Sequence, residues 1–256
     1  MNDFGDLTGA AIVTGGSGGL GAAVARLLAA RGSRVIVTYR NNEAAARAVV
    51  ADVERDGGRA EVCPLDLLDS AAAAEAVNDT ASRHGGVHTV VHAAGPMVRQ
   101  LHLSRVAPDT FREHLEHEVM GFFNVVQPAI PHLRAAGGSI VAVTTAATRR
   151  HAARDGLSAA PKGAIEAAVR ALAAEEGRFG VRANCVGPGF INDGMALRLQ
   201  EAGDIDAAAL DAAMRNIPLR RFGGAVDIAE AVCFLASPRA GYIRGQMLDV
   251  DGAYSV

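Results

Sequence analysis

Short apolar runs alternate with amphipathic stretches along this chain. Ala10-Ala11-Ile12-Val13, Arg34–Tyr39, Ala60–Leu65, Val87–His92, Ser139–Thr144, Arg182–Val186 and Gln246–Val250 are short, rich in β-branched residues and bounded by turn-forming ones, so they read as strands. Helical patterns fall between them, over about Leu20–Arg31, Ala44–Val53, Ser70–His84, Pro108–Arg134 and Ser158–Phe179. Several are rich in alanine, a strong helix former that permits close packing. Strand and helix in alternation predict right-handed βαβ crossovers and an α/β fold whose parallel sheet is covered on both faces. The rhythm fails once, from about Pro188 to Pro218. That stretch is expected to lie over the strand ends as a substrate lid, with Met195, Leu197, Leu199 and Ile205 giving it apolar character. No linker or repeat interrupts the pattern, so residues 1–256 are expected to form one domain.

Composition narrows the function. The chain has 256 residues, half of them hydrophobic, and a mean hydropathy of +0.16, enough for one substantial core. Its net charge is −3 and no run of Lys/Arg exceeds a pair, so a nucleic-acid partner is not expected. The densest basic spot, Arg149-Arg150 with Arg154, reads as a solvated loop or an anion contact. No segment has about 18 uninterrupted apolar residues and the start is acidic, which predicts neither membrane spanning nor export, and a cytoplasmic setting. Cys63, Cys185 and Cys233 each sit in an apolar run and are expected to be buried, inert thiols. His114 and His117 stand three apart on a helix without a third ligand, which favours surface placement over a metal site.

The candidate chemistry begins after the first strand, at Thr14-Gly15-Gly16-Ser17-Gly18-Gly19-Leu20-Gly21. Glycines at 15, 19 and 21 let the backbone turn tightly and approach a pyrophosphate, while the following helix offers unpaired N–H groups. A glycine string alone is a weak signal; at a first strand-to-helix junction it is a strong one. Tyr39-Arg40 closes the second strand where a carboxylate would favour NAD(H). An uncharged residue followed by arginine favours NADP(H), because guanidinium pairs with the 2′-phosphate; the alternative for Arg40 is an ordinary surface residue. Asp66, past the third strand, is placed to accept from the adenine amino group or to cap a nearby helix.

The chain resembles the short-chain dehydrogenase/reductase superfamily, in its 3-oxoacyl-carrier-protein-reductase-like branch. The resemblance rests on Thr14–Gly21, Leu65-Asp66, His92-Ala93-Ala94-Gly95, Asn184-Cys185-Val186-Gly187-Pro188-Gly189, and the C-terminal Arg221-Phe222-Gly223, Phe234-Leu235-Ala236-Ser237, Gly245-Gln246 and Asp249-Val250-Asp251-Gly252. It implies a Rossmann-like, doubly wound sheet of about seven parallel strands. It implies a nicotinamide cofactor, expected to be NADP(H), held by Thr14, Gly15, Ser17, Gly19, Leu20, Gly21, Tyr39, Arg40, Asp66, Leu67, Ala94, Gly95, Lys162, Pro188, Gly189 and Ile191. It also implies a homotetramer or homodimer, paired through the Ala168-Val169-Ala171-Leu172 face and the last strand.

The family works with a serine, a tyrosine, a lysine and an asparagine. Counting from the fifth strand, these positions carry Thr145, Ser158, Lys162 and Glu118. Thr145 keeps a hydroxyl. Ser158 does not inherit the tyrosine's role, because an alkyl alcohol has a far higher pKa than a phenol and a shorter reach. His92-Ala93 replaces a pair of asparagines, and Asp193 stands where a threonine is common. Three readings follow. The chain is an NADP(H)-dependent carbonyl reductase with a substitute proton donor, His151 or Glu118; the alternatives are an exposed loop histidine and an ion pair between Glu118 and Lys162. Or the cleft performs dehydration, cyclisation or isomerisation with Glu118, Lys162 and His151. Or the chain is a silent subunit beside an intact relative. A nucleophilic Ser158–Lys162 pair has only its one-turn spacing in favour. The substrate is expected to be small and apolar, or polyketide-like.

Overall fold

The structure, a computed structural model, describes residues 2–192 and 207–256. The apolar runs become β1 (Ala10–Thr14), β2 (Arg34–Tyr39), β3 (Arg59–Pro64), β4 (Val87–His92), β5 (Ser139–Val143), β6 (Arg182–Pro188) and β7 (Met247–Val250). Among the described residues they form one parallel sheet in the order β3-β2-β1-β4-β5-β6-β7. The helices are α1 (Gly19–Ala30), α2 (Glu43–Arg55), α3 (Ser70–His84), α4 (Pro108–Leu115), α5 (Gly121–Ala136), α6 (Gly156–Glu176), α7 (Ala207–Asn216) and α8 (Ala225–Ala236). None of the described helices is long and apolar enough to cross a membrane.

Period-two alternation divides the core. Ala11, Val13, Val35 and Val37 face Val24 and Leu28 of α1, Val49 and Val53 of α2, and Ile228 and Val232 of α8. Their neighbours Ile12 and Ile36, with Val90 and Ile140, face Val77 of α3, Phe122, Val125 and Leu133 of α5, and Ile165 and Val169 of α6. Helix ends carry the expected punctuation. The Ala45 and Ala72 amides donate to the side chains of Asn42 and Asp69, and Gly85 and Gly137 close α3 and α5 in the left-handed conformation. Asp69, not Asp66, is therefore the cap of α3.

The chain works outward from β1 to β3 and then resumes at β4 on the other side of β1. This reversal opens a crevice at the carboxyl ends of β1 and β4, where doubly wound sheets bind their ligands.

Some expectations need correction. The helical stretch Pro108–Arg134 is broken at its middle by a π-helical turn, Glu116–Met120. Helix α6 starts two residues before Ser158, so Pro161 falls in its second turn and removes the amide that would bond the Leu157 carbonyl. Val169 is buried in the core and cannot belong to a pairing face, and His114 is buried rather than on the surface. Arg149 approaches Asp249 at 3.8 Å, and Arg150 donates to the Tyr254 carbonyl at 2.7 Å while stacking over its ring, so this basic spot ties the C-terminus down. Burial pushes the Cys185 and Cys233 thiols up to about 12, as expected of inert thiols, whereas Cys63 is only half-buried, with its thiol shifted upward by the partial burial. Asp193, Met195, Leu197, Leu199 and Ile205, and with them the middle of the expected lid, lie outside the described residues.

Candidate functional site

The crevice is a cleft of about 570 Å³ running from the β2 end to the start of α6. Its phosphate-binding half is built of backbone. Gly15 adopts φ +66° and lies so close to the β4 turn that a Cβ there would stand 2.7 Å from Ala94 Cα. A Cβ on Gly21 would meet the Gly15 carbonyl at 2.3 Å. Both positions therefore require glycine. The N-cap of α1 is Gly18, no side chain caps the helix, and its first turn holds no acidic residue. Its leading N–H groups and the positive end of its dipole are left to face the cleft, an arrangement that fits a pyrophosphate.

The far end of this half is lined by Tyr39, Arg40, Asn41 and Asn42. Arg40 is exposed and forms no ion pair among the described residues, leaving its guanidinium available to an incoming anion. Asp66 accepts from the Leu68 amide at 3.0 Å, which fixes its carboxylate at the cleft wall. Leu67 is held from behind, because Asn124 Nδ2 donates to its carbonyl at 2.8 Å. Ser17, Gly19, Leu20, Ala94, Gly95, Pro188, Gly189 and Ile191 also line the cleft. Thr14 does not. It is fully buried at the end of β1, and its Oγ1 shares a 2.9 Å hydrogen bond with His92 Nδ1.

The other half carries titratable groups. Thr145, Ser158 and Lys162 line it together. The Thr145 oxygen accepts from the Ala147 amide at 3.2 Å, leaving its hydroxyl proton free to donate. Lys162 donates to Glu118 Oε1 in a close ion pair, with side-chain exposures of 13% and 1%. The π-helical turn aims Glu118 at the lysine, consistent with the frequent use of such bulges at functional sites. Glu118 lies beneath the cleft floor, since a Cβ on Gly95 would come within 2.8 Å of its Oε1. His92 is buried against Phe122. Desolvation, and secondarily the Lys162 charge, lowers its imidazole to about 3, so it stays neutral. His151 is exposed on the loop before α6 and is not among the cleft-lining residues.

The family model for enoyl-(acyl carrier protein) reductase matches residues 15–255. A versicolorin reductase of Emericella nidulans is 34% identical over 248 residues, 94% of each chain. The 3-oxoacyl-(acyl-carrier-protein) reductase FabG of Chlamydia muridarum is 31% identical, covering 95% of this chain and 96% of its own. The chain belongs to the short-chain dehydrogenases/reductases. A short-chain dehydrogenase of Burkholderia cenocepacia, solved in complex with NADP, superposes with a TM-score of 0.86 at 34% identity, over 97% of this chain and 98% of that one. A dehydrogenase/reductase of Sinorhizobium meliloti reaches 0.90 at 30% identity, over 100% and 98%.

This short-chain dehydrogenase/reductase is thus a member of an oxidoreductase family with a nicotinamide-type cleft, and Thr145, Ser158, Lys162 and Glu118 come together around one end of it. Sequence reasoning missed other members of the wall: Val98, Gln100, His117, Asp155, Phe190 and Tyr254. Asp155 had a readable signal. With Ser158 and Lys162 it stands at i, i+3 and i+7, one face of a helix. Tyr254 had none, because its place depends on the long-range edge-to-face contact with Phe190 at 5.2 Å.

Proposed function

We propose that this protein is an NADP(H)-dependent carbonyl reductase for small, largely apolar substrates, working without the tyrosine of its relatives. The observation that carries the cofactor preference is Arg40, unpaired among the described residues at the end of β2, where no acidic side chain follows the strand. A 2′-phosphate gains a charge-assisted partner there, whereas the ribose of NADH gains no carboxylate.

The bare N-terminus of α1 holds the pyrophosphate, Asp66 and Leu67 border the adenine, and Lys162 with Pro188, Gly189 and Ile191 borders the nicotinamide ribose and ring. The reduced nicotinamide, when bound, supplies the two electrons and the hydrogen that go to a carbonyl carbon. Thr145 orients the carbonyl oxygen by donating its free hydroxyl proton. Glu118 fixes Lys162 by charge and hydrogen bonding, which removes Glu118 from the group of free acids. The apolar wall of Val98, Ala147, Phe190 and Ile191 supports an apolar substrate, as do relatives named for the reduction of versicolorin and of 3-oxoacyl chains. Residues 1–256 act as one domain. The exposed Met120 and Phe123, and Leu248 of β7, support assembly into a homodimer or homotetramer, and the cytoplasm is the proposed setting.

Calorimetric titration with NADPH and NADH tests this reading. Micromolar binding of NADPH, with NADH weaker by at least tenfold, followed by NADPH consumption with an apolar ketone or quinone, supports it. Absence of binding by either nucleotide refutes it and directs attention to chemistry without a dinucleotide.

A further inference from the structure

Replacing the family's tyrosine with Ser158 raises a question of space as well as chemistry. A serine fills less of the cleft than a tyrosine, and the residue one turn toward the start of α6 on the same cleft wall is Asp155. It occupies the N-cap of α6, where an aspartate ordinarily accepts a hydrogen bond from the first turn of its helix. Asp155 makes no such bond. Its carboxyl is turned into the cleft wall, with Gln100 Nε2 donating to Oδ1 at 3.4 Å. The carboxyl thus gives up a capping contact and takes a place beside Ser158 and Lys162 on the cleft-facing side of α6.

We propose that Asp155 is the proton donor of this reductase, delivering a proton to the carbonyl oxygen from the cleft wall that it shares with Ser158 and Lys162. The inference rests on the carbonyl-reductase reading above. In the balanced step, the carbonyl C=O π bond breaks as a C–H bond and an O–H bond form. The carbon is reduced with the hydrogen and electron pair of the reduced nicotinamide, which is oxidised. The oxygen takes its proton from the Asp155 carboxyl, and the carboxylate regains one from solvent through the cleft mouth.

The groups facing Asp155 are consistent with a protonated acid. Burial raises its pKa, opposed by the Gln100 hydrogen bond and by the charges of Lys162 and His151. The Lys162 charge is already matched by Glu118, so the nearest cation is held by another carboxylate. A raised carboxyl keeps its proton over a wider pH range and loses it as pH rises through the folded-state value.

The test pairs a measurement without cofactor with one of turnover. The Asp155 carboxyl is titrated by carbon-13 NMR on aspartate-labelled protein without nucleotide, with Asp155→Asn identifying the resonance. The variant, close in shape to the native residue, is also examined for NADPH binding and for reduction of a panel of apolar ketones and quinones. The expected result is an Asp155 titration above the usual carboxyl range, NADPH affinity of the variant within threefold of wild type, and kcat lowered by roughly 10²–10⁴-fold. Wild-type kcat should fall as pH rises through the Asp155 value. That dependence should vanish in the variant, which a purely structural role would not produce. An ordinary titration, or a variant that keeps its kcat within threefold, overturns the assignment while leaving the reductase reading standing. A wild-type protein that binds NADPH yet reduces nothing in the panel overturns both.

Discussion

Lys162 and Glu118 provide the most direct energetic test of the site. Glu118 is 1% exposed and the Lys162 side chain 13%, so both charges have left bulk water and depend on each other. Replacing Lys162 with methionine keeps the volume and removes the ammonium, stranding a carboxylate under the cleft floor. Breaking a buried pair from one side costs about 3–5 kcal/mol. Glu118→Gln should cost less, about 1–2 kcal/mol, because the lysine ammonium reaches the cleft and can be hydrated there while the amide still accepts its hydrogen bond. The double variant Lys162→Met/Glu118→Gln strands no charge and should lie within about 2 kcal/mol of wild type, well short of the sum of the single changes. Urea denaturation followed by far-UV circular dichroism at one fixed protein concentration suits a chain with no tryptophan. A Lys162→Met cost below about 1 kcal/mol, or a double variant that costs the sum, would refute the claim that Glu118 is held there as the lysine's charge partner.

Three further outcomes are expected. Folded His92 titrates at about 3, whereas the unfolded chain takes up its proton near 6.5, so wild type loses stability as pH falls below 6.5. Asn at position 92 lacks this dependence, so the stability advantage of wild type over His92→Asn should shrink by about 1.4 kcal/mol between pH 7.5 and 5.5 in paired denaturation curves. Gly21→Ala places a methyl 2.3 Å from the Gly15 carbonyl and should lower stability by about 1–3 kcal/mol, with calorimetry showing weaker binding of NADPH and NADH alike. Arg40→Ala should weaken NADPH roughly 10–100-fold, the worth of one charged hydrogen-bonding partner, and leave NADH unchanged; equal loss for both nucleotides would show that Arg40 does not read the 2′-phosphate.

The cofactor half was legible because it is local. The glycines at 15 and 21 and the arginine at 40 owe their places in the cleft to backbone shape and strand position, and both are written in consecutive residues. The other half depends on distance in sequence. Glu118 could be aligned with Lys162 by counting, but the π-helical turn that points it there leaves no periodic signature. The place of His151 between Thr145 and Ser158 leaves a proton donor and an exposed loop histidine both open, because a loop residue's direction is set by packing; in the structure it is exposed. A helix that starts at Ser158, as the apolar pattern predicts, leaves Asp155 in the loop before it. With α6 beginning at Gly156, the same residue becomes its N-cap and joins the face that carries the lysine. Thr14 and His92 showed the opposite pattern, since both belong to recognisable motifs and both are buried structural partners rather than cleft residues.

The π-helical turn sets a limit on how this chain can change length. Each helical residue advances by about 100°, so one residue inserted or deleted within 116–120 turns everything before it relative to everything after it by roughly that angle. Phe122, Val125, Val126 and Leu133 are fixed against the sheet from the far side of the turn. A deletion would therefore swing Glu118 out from under the cleft floor while leaving the sheet side intact. Side chains in this segment other than Glu118 can be exchanged one at a time, but its residue count behaves as a phase setting between the scaffold and the chemistry. Length variants there should stay folded and lose function, whereas indels in the loops beyond the sheet edges should leave both fold and function in place.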